Sequence, residues 1–95
     1  MTITDYNVFI GNTSGALTVG SYNVAVGSFA MSSGTGNAIF NVAIGYETLK
    51  VLTTGDNNVA IGRQSGGSLT SGIGNIFLGY YSGSKQVGNS NLFIR

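Results

Sequence analysis

The chain has 95 residues and only four Lys or Arg and three Asp or Glu, so 7% of it is charged against about 25% in ordinary soluble domains. Hydrophobic residues reach 42%, which is too many for a disordered Gly/Ser tract. Since Cys and His are both absent, the composition excludes disulfides, Cys nucleophiles and His acid–base catalysis, and it leaves almost no zinc ligands. The net charge of +1 gives no indication of binding to nucleic acid or to an anionic membrane.

One short pattern recurs along the chain: Asn, an apolar residue, Phe or Ala, another apolar residue, and Gly. Its six copies begin at Asn7, Asn23, Asn41, Asn58, Asn75 and Asn91. These starting positions are 16, 18, 17, 17 and 16 residues apart, and the last copy has Arg95 in place of Gly. Such regular self-similarity, with a repeat unit of about 17 residues, is typical of a solenoid.

Each unit contains one strand-like segment rich in β-branched residues, and turns make up the rest. A second Gly lies three residues before the Asn, at Gly20, Gly55, Gly72 and Gly88, and a second apolar site lies six residues before it, at Leu17, Leu52 and Leu69. The third unit has Ala38 at the Gly position, which indicates a one-residue insertion within residues 32–36. Seventeen residues are too few for a helix, a strand and two loops. The sequence therefore predicts an all-β fold: one parallel β-solenoid domain of five to six coils over residues 1–95.

Stacking in register turns every repeat position into a column of like residues. We expect the Asn side chains to hydrogen-bond to one another along the axis as an amide ladder. We expect the Gly residues after the strands to occupy a turn with positive φ, where a side chain would clash. These residues are Gly11, Gly27, Gly45, Gly62 and Gly79.

The strand positions alternate between two faces, and both faces are apolar. We assign the first and third apolar positions, from Val8 and Ile10 to Leu92 and Ile94, to the solenoid interior. The opposite face would then be the interface between copies of the chain, and it consists of Phe9, Ala25, Ala43, Ala60, Phe77 and Phe93. Because a strand that is apolar on both faces is buried on both, the sequence predicts an oligomer.

The repeated N-V-A-I-G core, followed by T-G-x-x-N as in residues 54–58, resembles the repeat of phage tail-fibre and tailspike-like proteins. At a shorter period it is also similar to the head repeats of trimeric autotransporter adhesins. The resemblance covers about residues 6–95 and implies a left-handed β-roll assembled as a homotrimer; the number three comes from the resemblance alone. An autotransporter would need a signal peptide, a stalk and a membrane anchor. The sequence shows the pattern of none of these, so we expect the phage group to be the nearer one.

The three carboxylates do not form a catalytic pair. Asp5 and Asp56 share a column three coils apart, about 14 Å at the spacing of stacked strands, and Glu47 lies on another part of the coil. Glycosidase carboxylates lie about 5–10 Å apart. We therefore expect no enzymatic activity, no metal site and no organic cofactor.

Two columns carry large side chains outside the strands. One combines aromatic and guanidinium groups after the turn Gly: Tyr46, Arg63 and Tyr80, with Tyr81 adjacent. This stripe is a candidate glycan contact, but we favour the interpretation in which its members stack on one another through cation–π contacts. The other column, immediately before the Asn, starts with Tyr6, Tyr22 and Phe40, and we interpret it as packing.

These observations favour a non-enzymatic structural module of a phage tail fibre or spike, a rigid trimeric shaft or head in the virion that could contact the host surface. We expect synthesis in the host cytoplasm, because residues 1–7 lack the pattern of a secretory signal, and neither membrane insertion nor nucleic-acid binding. The expected partners are further copies of the chain, other virion proteins or domains stacked on the solenoid ends, and a host-surface glycan. The alternatives are a carbohydrate-binding, adhesin-like module and, with less support, an ice-binding solenoid, whose Thr column (Thr18, Thr53, Thr70) is interrupted.

Overall fold

The computed structural model describes residues 2–4, 6–16, 20–34 and 36–95, with backbone only for the first of these ranges. It contains seven strands and, within the described residues, no helix. The strands are β1 (Thr2–Thr4), β2 (Asn7–Ile10), β3 (Val24–Val26), β4 (Val42–Ile44), β5 (Val59–Ile61), β6 (Ile76–Leu78) and β7 (Leu92–Ile94). They form one sheet in chain order, in a molecule of 30 × 20 × 17 Å.

Strands β2 to β7 are parallel and pair in the register of the repeats. Val24 of β3 lies opposite Val42 of β4, and Ala43 of β4 lies opposite Ala60 of β5. The same register continues through the other pairs. The predicted parallel β-solenoid is thus confirmed, with about five turns and six coil strands.

Strand β1 was not predicted from the repeat pattern. It runs antiparallel to β2, with Thr4 opposite Asn7, and forms one edge of the sheet. The first coil therefore has its backbone hydrogen-bonding groups paired on both sides. Strand β7, at the other edge of the described sheet, pairs with β6 alone.

The predicted amide ladder is present and buried. The Asn58 Oδ1 atom accepts hydrogen bonds from the backbone N–H of Asn75 (2.9 Å) and from its Nδ2 (3.0 Å). The Asn58 Nδ2 group donates to Asn41 Oδ1 and to the Gly72 carbonyl. Equivalent bonds join the other coils, so each amide satisfies backbone groups that the coil corner would leave unpaired.

The Gly column after the strands also has the predicted conformation. Gly45 has φ +131°, and a Cβ on it would approach the Gly62 carbonyl carbon to 2.8 Å. The other members of this column have φ between +114° and +131°. A side chain there would be strained by its own backbone and would collide with the next coil.

The assignment of the two strand faces was wrong. Ala25, Ala43, Ala60 and Phe77 are fully buried inside a single coil stack, and Phe9 is 6% exposed. The reason is the two-residue period of a strand, which places the middle residue on the same side as the Asn two positions earlier. Since the amide ladder is internal, the column of middle strand residues from Phe9 to Phe93, here called the Phe/Ala column, is internal as well. The aliphatic positions therefore face outwards. Phe93, in the last coil, is half-buried against this core.

The narrow interior is filled by a second column whose sizes compensate those of the first. The two columns pair within each coil as Phe9–Gly15, Ala25–Met31, Ala43–Leu49, Ala60–Gly66 and Phe77–Gly83. A Cβ on Gly15 would overlap the Phe9 ring, and one on Gly83 would overlap the Phe77 ring. Ala25 and Ala43 are paired with buried Met31 and Leu49, whereas Ala60 is paired with Gly66. Leu49 of the preceding coil extends towards the space beside Gly66.

Further predicted columns are seen in part. Leu52 and Leu69 are buried, which confirms the second apolar site; Leu17, Thr18, Asp5 and Thr35 lie outside the described residues. Ala38 takes the Gly position of the third unit and is buried, and its carbonyl accepts a hydrogen bond from Asn23 Nδ2. Hydroxyl groups reinforce the stack, as when Thr48 Oγ1 donates to the Gly62 carbonyl at 2.7 Å.

Candidate interaction surface

The outward face of strands β2 to β7, here called the outer sheet face, is a continuous aliphatic surface. Its two columns are Val8, Val24, Val42, Val59, Ile76, Leu92 and Ile10, Val26, Ile44, Ile61, Leu78, Ile94. Exposure is 37% for Ile44, 39% for Ile61 and 42% for Ile76, and it rises to 72% for Ile94. Large contiguous apolar surfaces of this kind mark interaction sites, because they are unfavourable in water.

The first border of this face, here called the N-side rim, is the column immediately before the Asn ladder. Its members are Tyr6, Tyr22, Phe40, Asn57, Gly74 and Ser90. The rings of Tyr6 and Tyr22 stack at 5.1 Å and 4°, and those of Tyr22 and Phe40 at 5.0 Å and 10°. The predicted packing of this column is confirmed, yet the three rings remain between 50% and 74% exposed.

Every member of the N-side rim has a positive φ, from +56° to +73°. This conformation suits Gly and Asn, and it costs about 1–2 kcal/mol for other residues. Three exposed aromatic residues nevertheless occupy it in the first three coils. They stack on one another and do not fill the interior of their own chain, so they form an exposed aromatic ridge beside the outer sheet face.

The second border, here called the C-side rim, is the column after the turn Gly: Asn12, Ser28, Tyr46, Arg63 and Tyr80. The Arg63 guanidinium lies 5.7 Å from the Tyr46 ring centre and 5.9 Å from that of Tyr80. The structure therefore brings the three predicted stripe residues together as a cation–π stack. Phe29 adds an edge contact to Tyr46 at 6.1 Å.

Tyr81, the fourth residue of the predicted stripe, turns from the C-side rim towards a groove. Its ring meets that of Tyr80 at 4.3 Å and 88°. The groove has a volume of about 420 Å³ and is lined by Glu47, Lys50, Gln64, Gly67, Ser68, Tyr81, Ser84 and Lys85. An aromatic ring among charged and amide groups is a surface that could contact a polar ligand, and the repeat pattern alone did not indicate this groove.

Glu47 is the central acidic group of the groove. It accepts hydrogen bonds from Gln64 Nε2 and from Lys50 Nζ, the latter at 2.9 Å. The bond from Gln64 and then that from Lys50 hold the pKa of the Glu47 carboxyl below its ordinary value. Glu47 is therefore an ionised, fully partnered carboxylate at neutral pH.

Asp56 likewise has a structural partner, because its Oδ1 accepts the Ile39 backbone N–H at 2.9 Å. Its predicted column neighbour Asp5 lies outside the described residues. Within the described ranges no three acidic side chains gather into a metal-binding group, and no helix is long and apolar enough to cross a membrane.

Comparison of the chain with protein-family models, with curated proteins and with solved structures found no match. The outer sheet face and its two rims therefore carry the functional argument. The internal position of the Asn ladder is the structural observation that identifies this surface, because alternation then directs Val8 and Ile10 outwards.

Proposed function

We propose that the chain is a non-enzymatic structural module of a phage tail fibre or spike. In this proposal three copies of the solenoid assemble side by side as a rigid shaft or head, each turning its outer sheet face towards the common axis. Further virion proteins or domains would stack on the ends of the solenoid, and the assembled module could contact the host surface.

The outer sheet face is the observation that carries this proposal. Twelve aliphatic side chains, typified by Ile44 and Ile61, extend over six stacked strands, about 24 Å along the axis. The described residues leave this surface open to solvent, with Ile44 and Ile61 more than one-third exposed. A second copy with the same surface is the simplest partner for it.

The number of copies and the left-handed winding come from the resemblance of the repeats to trimeric phage β-rolls. A ring of three sheets buries the outer face of every copy around one axis and leaves the grooves near Glu47 on the outside. The ladder of buried amides and in-register strands supports a stiff rod, because each coil is bound to its neighbours along its whole circumference.

Light scattering tests this assembly with Ile44→Glu, which places a charge on the outer sheet face. We expect a trimeric mass for the wild-type chain and loss of the trimer for the variant, because three carboxylates would approach one another around the axis. The matched control is Ser68→Glu on an exposed turn, which should leave the trimer intact. A trimer of Ile44→Glu with unchanged dissociation would contradict the proposed interface.

The virion assignment has a separate test in the genes beside that of this chain. Neighbouring genes for tail or capsid proteins would support it. A neighbourhood of metabolic genes alone would contradict it, whatever the oligomeric state.

A second candidate function is contact with a host glycan, and the groove near Tyr81 favours it. Sugar rings stack on aromatic faces, and Glu47, Gln64 and Lys85 supply hydrogen-bonding groups beside the ring. A glycan array tests this role: binding that Tyr81→Ala abolishes would support it, and the absence of any bound glycan would contradict it. The ice-binding alternative has a less suitable surface, because Thr53 Oγ1 donates to the Thr70 carbonyl at 3.0 Å; a thermal hysteresis assay tests it.

A further inference from the structure

The two rims of the outer sheet face cannot touch within one chain. Tyr6 and Asn12, the first members of the two rims, lie at opposite ends of strand β2, whose four extended residues alone span about 13 Å. Any contact between the N-side rim and the C-side rim must therefore join two copies of the chain.

The sizes of the two rims are nevertheless complementary in four of the first five coils. In the first five coils the N-side and C-side members are Tyr6 and Asn12, Tyr22 and Ser28, Phe40 and Tyr46, Asn57 and Arg63, and Gly74 and Tyr80. In the first two coils the N-side member is the large one, and in the last two it is the small one. Only the third coil has two large members, and both of them are aromatic.

The interior of this chain shows the same complementarity of side-chain sizes between two columns that are in contact. The Phe/Ala column and the column from Gly15 to Gly83 lie side by side, and each large member of one faces a small member of the other. Close packing requires this compensation wherever two columns share a fixed space. The same relation between the rims indicates that they also share a space.

Gly74 supplies a second observation, because the space above it is open. A Cβ at this position would have its nearest neighbour, Ser90 Oγ, at 3.6 Å, which is ordinary contact. Its φ of +73° favours glycine, although Tyr22 and Phe40 adopt φ near +60° in the same column. The open space over Gly74 is thus available to a large side chain from elsewhere.

Three-fold symmetry fixes which rims can meet. A ring of three identical chains has no two-fold axis, so each contact joins two different surfaces of the chain. If the three-fold axis is parallel to the solenoid axes, the rotation also keeps equivalent coils of the three copies at one height. In such a ring the N-side rim of one copy faces the C-side rim of the next copy, coil for coil.

We propose that the two rims interlock between neighbouring copies and set the register of the trimer, an inference that rests on the trimeric assembly proposed above. Tyr22 covers Ser28 of the next copy, and Tyr80 occupies the space over Gly74. Phe40 and Tyr46 form the one aromatic pair between chains, at the coil where the two rims exchange sizes.

Disulfide trapping tests this register, and the absence of native Cys makes it clean. The variant Tyr22→Cys/Ser28→Cys carries one thiol on each rim of the second coil, too far apart to join within one chain. Under oxidation we expect a covalent trimer on a non-reducing gel. Tyr22→Cys alone should migrate as a monomer, because three-fold symmetry keeps its three copies apart.

The control variant Ser28→Cys/Tyr80→Cys tests the rival arrangement. Its thiols lie three coils apart on one rim, about 14 Å, and they would meet only if two copies paired antiparallel. We expect no cross-link. A covalent dimer of this variant would overturn the proposed register in favour of an antiparallel pair.

The outcomes separate the register from the trimer itself. If light scattering gives a trimer but Tyr22→Cys/Ser28→Cys yields no cross-link, the rims do not interlock as proposed and the trimer stands. If the wild-type chain is not trimeric, the assembly fails and the register fails with it.

A size exchange gives an independent readout. Ser28→Tyr places two large side chains at one contact and should weaken the trimer about tenfold or more. Tyr22→Ser/Ser28→Tyr exchanges the sizes and should recover most of that loss. A double variant as weak as Ser28→Tyr alone would contradict the proposed contact.

Discussion

The two faces of the coil strands are both apolar, yet they have opposite environments. On the inner face, Ala43 and Ala60 are fully buried in a single chain. On the outer face, the adjacent residues Ile44 and Ile61 remain more than one-third exposed. In these two coils the smaller and less hydrophobic residue of the strand is therefore inside, and the larger β-branched residue is outside.

This difference shows that hydrophobicity did not decide which face is internal. The interior of a 17-residue coil already contains the Asn ladder, the leucines of the second apolar site and buried hydroxyl groups such as that of Thr48. The remaining space accepts Ala, or Phe where glycine lies beside it. The aliphatic residues outside are consequently free to serve association.

The largest expected effect comes from Ala60→Glu compared with Ile61→Glu, two neighbouring positions on opposite faces. Ala60→Glu places an unpaired charge in the core of one chain, a loss of several kcal/mol, so we expect an unfolded chain. Ile61→Glu leaves the core intact, so we expect a folded chain that no longer assembles. Circular dichroism and light scattering of both variants provide the measurement.

Either of two results would break the comparison of the faces. One is a folded, assembled Ala60→Glu chain with an unchanged melting temperature. The other is an Ile61→Glu chain that loses its β-sheet signal as completely as Ala60→Glu does.

A smaller effect is expected from Asn58→Ala, which removes one step of the inner amide ladder. The Asn75 backbone N–H and the Gly72 carbonyl lose their partners in a buried setting, a loss of about 2–4 kcal/mol. Urea unfolding at fixed protein concentration measures it, and the exposed Asn37→Ala is the control. Equal stability of the two variants would show that the ladder adds nothing to the inner face.

The variants Phe77→Ala and Gly83→Leu, alone and combined, test size compensation on the inner face. Alone, the first leaves a cavity and the second overlaps the Phe77 ring. Together they reproduce the Ala43 and Leu49 arrangement two coils away, which has the same positive φ. We expect a favourable coupling of about 1–2 kcal/mol in a double-mutant cycle; strictly additive losses would argue against direct compensation.

The smallest effect should come from Glu47→Ala, outside both faces. Its folded pKa lies below the ordinary value of 4.5, so its contribution is present above that value and is lost as the pH falls through the folded pKa. For a solvent-screened group we expect about 0.5 kcal/mol or less at pH 7 and a smaller difference from wild type near pH 3. Melting curves at both pH values measure this, and a loss of the same size in acid would require another cause.

Several features of the fold could be predicted from particular residues. The six Asn residues and the Gly column predicted the amide ladder and the left-handed turns correctly, because equivalent positions in stacked coils must have equivalent surroundings. The antiparallel strand Thr2–Thr4 could not be predicted in this way, since it precedes the repeats. The stack of Arg63 between Tyr46 and Tyr80 was the favoured of two interpretations, and the structure shows its geometry.

The repeated sequence by itself determined the coil length, the parallel register and the columns, since each residue type returns at the same position of a coil whose backbone hydrogen bonds allow one pairing. It could not determine which strand face is internal, because alternation separates two faces without saying which is inside when both are apolar. The tertiary structure decided this through the buried hydrogen bonds of the Asn side chains and the limited volume beside them. Those two constraints place Ala60 in the core and Ile61 on the surface, and they make the outer sheet face the site of association that we propose.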